Sequence, residues 1–243
     1  MKKLLIALGV VIVLLVAAVA VVEIGGRPVA QDYIRNEIVK ALPGTDPEVT
    51  IGPGSLVLQA IAGHLDKVDV TVPDATIGTF TSDLTLSATD VPLDSTAPLG
   101  TLDIGVDANA AEVQELVQQL DGLEKATVAI DGDVNIASSF SVLGLTVPFG
   151  FGVAPTADQG ALVLTPTTVS LNNATLSLAD VAKAPFGTYI TGLVKPQRIC
   201  VSEYLPKVLT LTGARVTGSS LHLNGEADGI SLGSTDFTVL GSC

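Results

Sequence analysis

The sequence predicts an α+β domain in which a long, strongly curved antiparallel β-sheet wraps around one or two amphipathic helices, with a β-sandwich as the alternative. Three observations favour this fold class. Apolar and polar residues alternate over most of the chain, two segments have the apolar spacing of amphipathic helices, and one predicted strand is longer than an ordinary strand. No linker or low-complexity segment interrupts the chain after residue 27, so we expect one extended domain over residues 23–243.

The alternating segments predict most of the strands. Large apolar residues recur at every second position around residues 67–72, 84–87, 102–106, 162–164, 176–178, 209–211, 221–223 and 237–239, and threonine, serine, aspartate or lysine fills most of the positions between them. Strands of this kind bury one face and leave the other face in water, which is typical of antiparallel sheets.

The first predicted helix covers Arg27–Leu42. Pro28 suits its first turn, and Pro43 and Gly44 follow its end. Its apolar residues recur at every fourth position, which gives a stripe formed by Ala30, Ile34, Ile38 and Leu42. This stripe predicts that one side of the helix packs against the sheet.

Two more helical segments are predicted in the middle of the chain. One begins after Asn109, which can cap the helix together with Glu112 three residues later. Its apolar stripe consists of Val113, Leu116, Val117 and Leu120, and Gly122 ends it. The other falls between Ala179 and Val194 and is broken at Pro185.

The most informative predicted strand covers Ser141–Pro155. One face carries an unbroken apolar series, namely Leu143, Leu145, Val147, Phe149, Phe151 and Val153. The other face carries Gly144, Thr146, Pro148, Gly150 and Gly152. Glycine and proline weaken strand pairing and permit bending, so we expect a curved sheet with an aliphatic, partly aromatic concave side.

The N-terminus has Lys2 and Lys3 followed by an apolar run from Leu4 to Val22. As a helix this run is about 28 Å long, close to the hydrocarbon thickness of a bilayer. We therefore favour an uncleaved signal anchor over residues 1–22, and the alternative is a signal peptide cleaved after Ala18-Val19-Ala20. In both cases the rest of the chain is predicted to lie outside the cytoplasm, in the cell envelope, either membrane-anchored or secreted.

Residues 23–243 are strongly acidic. They carry 25 acidic and 10 basic side chains, a net charge of −15. This charge excludes nucleic acid as a partner and disfavours electrostatic docking on anionic lipids, so any contact with lipid must come from apolar burial. Arg27, Arg35 and Arg198 are candidate phosphate contacts, with ordinary surface charge as the alternative for each.

Cys200 and Cys243 are the only cysteines, and two cysteines in an exported chain predict a disulfide. The loop that this bond would close contains about 44 residues, which in the chain-entropy description is worth roughly 4 kcal/mol. A reactive thiol is disfavoured because Cys243 follows Gly241 and Ser242, with no basic neighbour to lower its pKa.

Residues able to carry catalysis are scarce. His64 and His222 are the only histidines, too few for the usual structural zinc set, and we predict neither a metal nor a cofactor. The chain has no nucleophile elbow, phosphate loop or dinucleotide fingerprint. Asp131 and Asp133 flank Gly132 and predict a turn. We therefore predict that the protein is not an enzyme.

Four features together resemble the LmeA-like family of actinobacterial cell-envelope phospholipid-binding proteins. They are the N-terminal signal or anchor, the helix that begins near Arg27, the stretch Ala60–Leu93, and the stretch Ile199–Leu232, in which Leu205-Pro206 leads into a final hairpin. The resemblance implies phospholipid binding in the envelope and a role in making or maintaining mannosylated lipids such as lipomannan. It also implies a fold similar to tubular lipid-binding modules, in which a curved sheet wraps a helix to hold acyl chains.

The leading hypothesis is a non-enzymatic lipid-binding or lipid-carrier protein that is held at the membrane by its N-terminal helix. Its ligand would be a phospholipid or another acyl-chain lipid. The predicted lipid contacts are Ile34, Ile38, Leu143, Leu145, Val147, Phe149 and Phe151. The alternative is a membrane-anchored structural or adaptor protein whose apolar face binds an envelope partner protein.

Overall fold

The computed structural model describes residues 26–77, 80–94, 96–118, 123–142, 145–171, 174–177, 196–200, 202–231 and 239–242. These residues form two compact units. Unit 1 contains the described residues up to Val106, those of Val201–Thr212 and those from Asn224 onward, and unit 2 contains the described residues of Asp107–Cys200 and Gly213–Leu223. One domain over residues 23–243 stays a prediction.

The described chain is mostly β. In chain order its elements are α1 (Arg27–Ala41), β1 (Glu48–Ile51), α2 (Leu56–Ala62), β2 (His64–Ile77), β3 (Phe80–Pro92), β4 (Thr101–Asn109), α3 (Ala110–Val117), β5 (Thr127–Asp131), β6 (Asp133–Val142), β7 (Leu145–Asp158), β8 (Ala161–Leu171), β9 (Ala174–Ser177), β10 (Gln197–Cys200), β11 (Thr210–Thr217) and β12 (Ser220–Asp228). A 3-10 turn, Ser202–Tyr204, precedes β11.

The strands form two open antiparallel sheets. Sheet 1 has the order β1-β2-β3-β4-β12-β11, and sheet 2 has the order β10-β8-β7-β6-β5 with β9 also paired to β8. The prediction of a single curved sheet wrapped around helices is not confirmed in the part of the chain that the structure describes. A mostly β protein with few helices agrees with the predicted α+β class and also with the sandwich alternative.

The core of unit 1 lies between α1 and sheet 1. Pro28 is in the first turn of α1, as predicted, and the predicted stripe of Ala30, Ile34, Ile38 and Leu42 is buried in one apolar cluster with residues of β1, β2 and β3. The strand partners in this cluster are paired in register, with Val49 opposite Val70, Ile51 opposite Val68, Val70 opposite Leu86 and Val72 opposite Leu84. The apolar side chains that recur with the helical period in α1 and with the strand period in β1, β2 and β3 therefore pack together in one buried cluster.

The other face of sheet 1 is polar in β2 and β3. Asp69 pairs with Ser87, and Thr71 pairs with Thr85. Directly paired residues of antiparallel strands lie on the same face, so the alternation that predicted these strands also separates their buried and wet sides.

Two predicted segments lie outside the described residues, and one observed helix was not predicted. The helical zone predicted between Ala179 and Val194 lies outside the described residues. Helix α2 was not predicted. It is short, begins after the N-cap Ser55 and ends at Gly63, whose φ of 83° places it in the left-handed region that glycine tolerates. Within the described residues no helix is long and apolar enough to cross a membrane, and the run Leu4–Val22 lies outside them.

Candidate functional site

The predicted apolar series lies on β7, a 14-residue strand in the middle of sheet 2. Phe149, Phe151 and Val153 alternate with Gly150 and Gly152, as the sequence predicts. Leu145 and Val147 occupy the same alternate positions of the register, opposite Val142 and Phe140. Leu143 lies outside the described residues.

The strands on both sides of β7 extend its apolar face. Val153 lies between Val134 of β6 and Pro166 of β8, and Phe151 lies between Ile136 of β6 and Val169 of β8. Val134 also pairs with Ile130 of β5. Because paired residues share a face, these side chains form one apolar surface across four strands of unit 2. We call this surface the apolar face of sheet 2.

The apolar face of sheet 2 is covered at one end and partly open at the other. Ile130, Val134, Ile136 and Val153, near the β5–β6 turn, are buried. Phe149, Phe151 and Val169, further from that turn, are only half-buried. The accessible part of the face therefore contains two phenylalanine rings, which supply a large apolar contact area.

The opposite face of β7 explains its glycines. A Cβ atom on Gly152 would lie 2.6 Å from Thr168 Oγ1, 2.9 Å from Thr167 Oγ1 and 3.0 Å from Asn135 Oδ1. A Cβ atom on Gly150 would lie 2.7 Å from Ser170 Oγ and 3.0 Å from the carbonyl oxygen of Ile136. Both glycines pair with β6 and β8, so their observed role is to make room for neighbouring polar side chains.

The irregularity in this region is a register shift between Gly152 and Val153. Gly152 is opposite Thr168 and Val153 is opposite Pro166, which leaves Thr167 as an extra residue in β8. The Thr167 hydroxyl donates a hydrogen bond of 2.7 Å to the carboxylate of Asp133. The predicted turn at Asp131-Gly132-Asp133 is confirmed, and one of its carboxylates stabilises the bulge beside the apolar face.

Helix α3 lies along β5 and is capped as predicted. The Asn109 side chain accepts from the N–H groups of Ala111 and Glu112, and the Glu112 carboxylate accepts from the Asn109 N–H at 2.7 Å. The carbonyl oxygen of the Gln114 side chain accepts from the Val128 N–H at 3.0 Å, so α3 satisfies a donor of β5. Val113 and Val117 are buried.

The prediction is not confirmed for two members of the predicted α3 stripe. Leu116 is exposed, so the prediction that it lies on the buried stripe is wrong. Leu120 lies outside the described residues. Helix α3 ends at Val117, and its buried side consists of Val113 and Val117.

A family model described as LmeA-like phospholipid-binding matches residues 21–226, which is most of the chain. The chain belongs to this LmeA-like family. Neither the comparison with curated proteins nor that with solved structures gives a match. The match confirms the family predicted from the sequence, and with it phospholipid binding as the general property of the family.

In this LmeA-like chain, Ile34 and Ile38 lie in unit 1 and Phe149 and Phe151 lie in unit 2. Ile34 is 1% exposed and Ile38 is 0% exposed, and both belong to the core cluster of α1 and sheet 1. Complete burial among these side chains is what a packing role requires. Lipid contact at these two positions stays a prediction.

The three candidate phosphate-binding arginines all have partners within the chain. Arg27 donates to the carbonyl oxygens of Gly54 at 2.7 Å and Ile51 at 3.5 Å. Arg35 pairs with Asp46, and Arg198 pairs with the Asp158 carboxylate and donates to the Asp158 carbonyl oxygen at 2.9 Å. These contacts favour the alternative of ordinary structural and surface charge.

The described residues contain no group of three histidine, cysteine, aspartate or glutamate side chains that could hold a metal ion. Each histidine has carboxylate neighbours. His64 Nε2 lies 3.6 Å from Asp66 Oδ1 and 3.9 Å from Asp90 Oδ1, and His222 Nδ1 pairs with Asp107. Asp90 and Asp107 lie near the histidines because their strands are neighbours in sheet 1. The spacing of these residues in the sequence does not predict this proximity.

Two carboxyl groups of unit 1 have a lowered pKa. Partial burial raises the pKa of Asp69, but hydrogen bonds from Lys67 and Ser87 and the Lys67 charge outweigh it. Hydrogen bonds from the Thr96 N–H and hydroxyl lower the pKa of Asp94. Both groups are ionised at neutral pH and have structural partners, which is not the perturbation that a general acid requires.

Cys200 ends β10 and pairs in register with Ala161. Its predicted partner, Cys243, lies outside the described residues, so the disulfide stays a prediction.

Proposed function

We propose that the protein is a non-enzymatic phospholipid-binding or lipid-carrier protein of the cell envelope, which holds acyl chains on the partly open end of the apolar face of sheet 2. The observation that carries this proposal is the half-burial of Phe149 and Phe151 on a face that is largely apolar across β6, β7 and β8, where the polar exception is Ser138, opposite Phe149. Membership of a phospholipid-binding family supports the class of ligand.

The energetics suit an acyl chain better than a charged ligand. Each methylene group removed from water contributes about 0.8 kcal/mol, so a few methylenes on this face give appreciable binding. The acidic chain repels anionic headgroups, and the candidate arginines already have partners. Affinity would therefore come from the chains of the lipid and not from its phosphate.

The envelope location and the pathway belong to this proposal too. Lys2 and Lys3 before the run Leu4–Val22 support an anchored chain with its two units outside the cytoplasm. A role in the synthesis or maintenance of mannosylated lipids rests only on the family resemblance. On this view, the protein binds a phospholipid that the pathway uses or must keep in place.

The test compares lipid content in three exported, detergent-free preparations beginning at Glu23. They are the wild type, the double variant Phe149→Asp with Phe151→Asp, and the matched control Thr146→Asp. Thr146 is exposed on the opposite face of the same strand. We expect native mass spectrometry and lipid extraction to find bound phospholipid in the wild type and the control, and little in the double variant.

Circular dichroism and thermal melting must establish that the double variant folds. If it does not, the pair Phe149→Ser with Phe151→Ser keeps the strand uncharged and replaces it in the comparison. Phospholipid retained at the wild-type level in a folded variant would contradict the proposed site. A folded wild type that neither contains nor takes up phospholipid would contradict lipid binding itself.

The second candidate function is a membrane-anchored adaptor that binds an envelope protein. It is favoured by Leu176 on β9 and Ile199 on β10, which are exposed on strands that both pair with β8. Short strands of this kind can receive a strand from another protein. A lipid-free wild type that forms a stable complex with an envelope protein would support this function.

A further inference from the structure

Helix α2 exposes apolar side chains to an unusual degree. Leu58 is 67% exposed and Ile61 is 77% exposed. Residues three apart lie on the same side of a helix, so these two form one apolar surface. The segment Gly52–Gly63, which contains α2, has no charged residue, whereas the chain as a whole has a net charge of −13. A helix side that remains in water usually carries charged or polar residues.

The orientation of α2 is fixed by contacts at both ends and on its inner side. The Ser55 hydroxyl accepts from the Leu58 N–H, and Gly63 ends the helix in the left-handed conformation. Gln59 is 5% exposed, its amide nitrogen donates to the Pro53 carbonyl oxygen at 3.4 Å, and its amide oxygen accepts from the Asp66 N–H at 3.2 Å. With Gln59 held inward, Leu58 and Ile61 are held outward.

The first residue of α1 forms a hydrogen bond with the loop that leads into α2. Arg27 donates to the Gly54 carbonyl oxygen, one residue before the N-cap of α2. The apolar run Leu4–Val22 ends five residues before Arg27. Five residues span at most about 17 Å when fully extended, so a bilayer that held this run would lie within that reach of Arg27.

We propose that the surface formed by Leu58 and Ile61 is a second membrane contact, which inserts into the phospholipid bilayer that holds Leu4–Val22. The inference rests on the anchored placement proposed above, but not on the lipid site in unit 2. A neutral, apolar helix surface is the form of contact available to an acidic protein, because it gains affinity from burial among lipid chains and not from headgroup charge. It would hold unit 1 in one orientation at the bilayer surface.

The test uses the absence of tryptophan from the chain. Ile61→Trp in the full-length protein introduces a single tryptophan at a position of α2 that is more exposed than Leu58. The protein is reconstituted into phosphatidylcholine vesicles with brominated acyl chains, which quench tryptophan on contact. We expect a blue-shifted emission and quenching several-fold stronger than that of the matched control, Thr71→Trp.

Thr71 is a suitable control because it lies exposed on β2, seven residues from the His64 end that follows α2. At the rise of a strand this separation is about 23 Å, more than the depth of an interfacial contact. Equal quenching at the two positions would overturn the inference. So would an emission that shifts to the blue with protein concentration but is not quenched by lipid, since a second copy would then cover α2.

Two further measurements separate this inference from the other proposals. Vesicle flotation reports on the anchor, and a full-length chain that does not float would overturn both the anchored placement and this inference. Quenching of Ile61→Trp must persist when Phe149→Asp and Phe151→Asp are added. Its loss in that folded variant would identify bound lipid as the quencher and would overturn the bilayer contact.

Discussion

At the scale of single residues, the absence of a side chain at Gly152 affects the packing of both faces of sheet 2. Its apolar neighbours in β7, Phe151 and Val153, lie on one face, while Thr167, Thr168 and Asn135 crowd the space where a Cβ atom would lie. Rotating Thr167 away would break its hydrogen bond to Asp133. The glycine therefore stabilises the strand that presents the phenylalanines.

We expect Gly152→Ala to destabilise unit 2 by about 1–3 kcal/mol, the usual effect of overpacking a filled position. The matched control is Gly225→Ala, since a Cβ atom there would meet only the Thr210 carbonyl oxygen, at an ordinary 3.5 Å. Urea unfolding of the two variants checks the difference. Equal stability of both variants would mean that the Thr167 and Thr168 side chains rearrange without cost.

Asp69 provides a second prediction at this scale. Lys67 Nζ lies 2.9 Å from Asp69 Oδ1, and its hydrogen bond and charge help to keep the pKa of Asp69 below the ordinary value. We expect Lys67→Met to raise the pKa of Asp69, as measured by NMR titration of the carboxyl group, and Ser87→Ala to raise it as well. An unchanged pKa in Lys67→Met would contradict the role of this ion pair.

The stability of the fold should follow the same ionisation. Because the pKa of Asp69 is lowered in the folded state, its stabilising contribution is present at neutral pH and is lost as the pH falls below the ordinary aspartate range and through that lowered pKa. The pair is partly exposed, so the contribution is expected to be about 1 kcal/mol or less.

At the scale of elements, a substitution in α1 can distinguish a packing role of this helix from a lipid-binding role. Ile38 is completely buried between α1 and sheet 1. We expect Ile38→Ala to lower the free energy of unfolding by about 2–5 kcal/mol through the lost contacts and the cavity. The measurement is denaturant unfolding of samples with and without extracted lipid. A loss of stability that disappears after lipid extraction would show that Ile38 acts through bound lipid instead.

The capping box of α3 permits a prediction in unit 2. Asn109→Ala removes the acceptor for two N–H groups at the start of the helix and should cost about 1 kcal/mol, whereas Asn109→Asp keeps an acceptor and should cost less. Amide hydrogen exchange in Ala110–Val117 checks both variants. Unchanged exchange in Asn109→Ala would indicate that packing of Val113 and Val117 alone holds the helix.

At the scale of the whole molecule, the predicted disulfide would be the main covalent constraint. A bond between Cys200 and Cys243 would close a loop of about 44 residues and stabilise the fold by roughly 4 kcal/mol. Peptide mapping of the exported protein without reduction should find the two cysteine peptides linked. Cys200→Ser should then lower stability to the level of the reduced wild type. Two free thiols in the exported, folded protein would contradict the prediction.

Local patterns predicted the elements well where a pattern was long enough. The four-residue spacing of Ala30, Ile34 and Ile38, the capping signal at Asn109 and the alternation through Phe149 and Phe151 all describe the observed elements. Helix α2 was not predicted because its seven residues are too few to show a periodic apolar stripe. The pairing of β4 with β12 joins distant parts of the chain, which no local pattern encodes.

The sequence by itself determined the apolar and polar faces of most strands, the buried side of α1, the acidic charge and the LmeA-like family. Only the tertiary structure decided what covers each face. Ile38 and Phe149 both belong to regular apolar patterns, yet one is fully buried by a sheet and the other is half-open. The physical reason is that periodicity places side chains on one side of an element, whereas burial depends on which elements pack against that side.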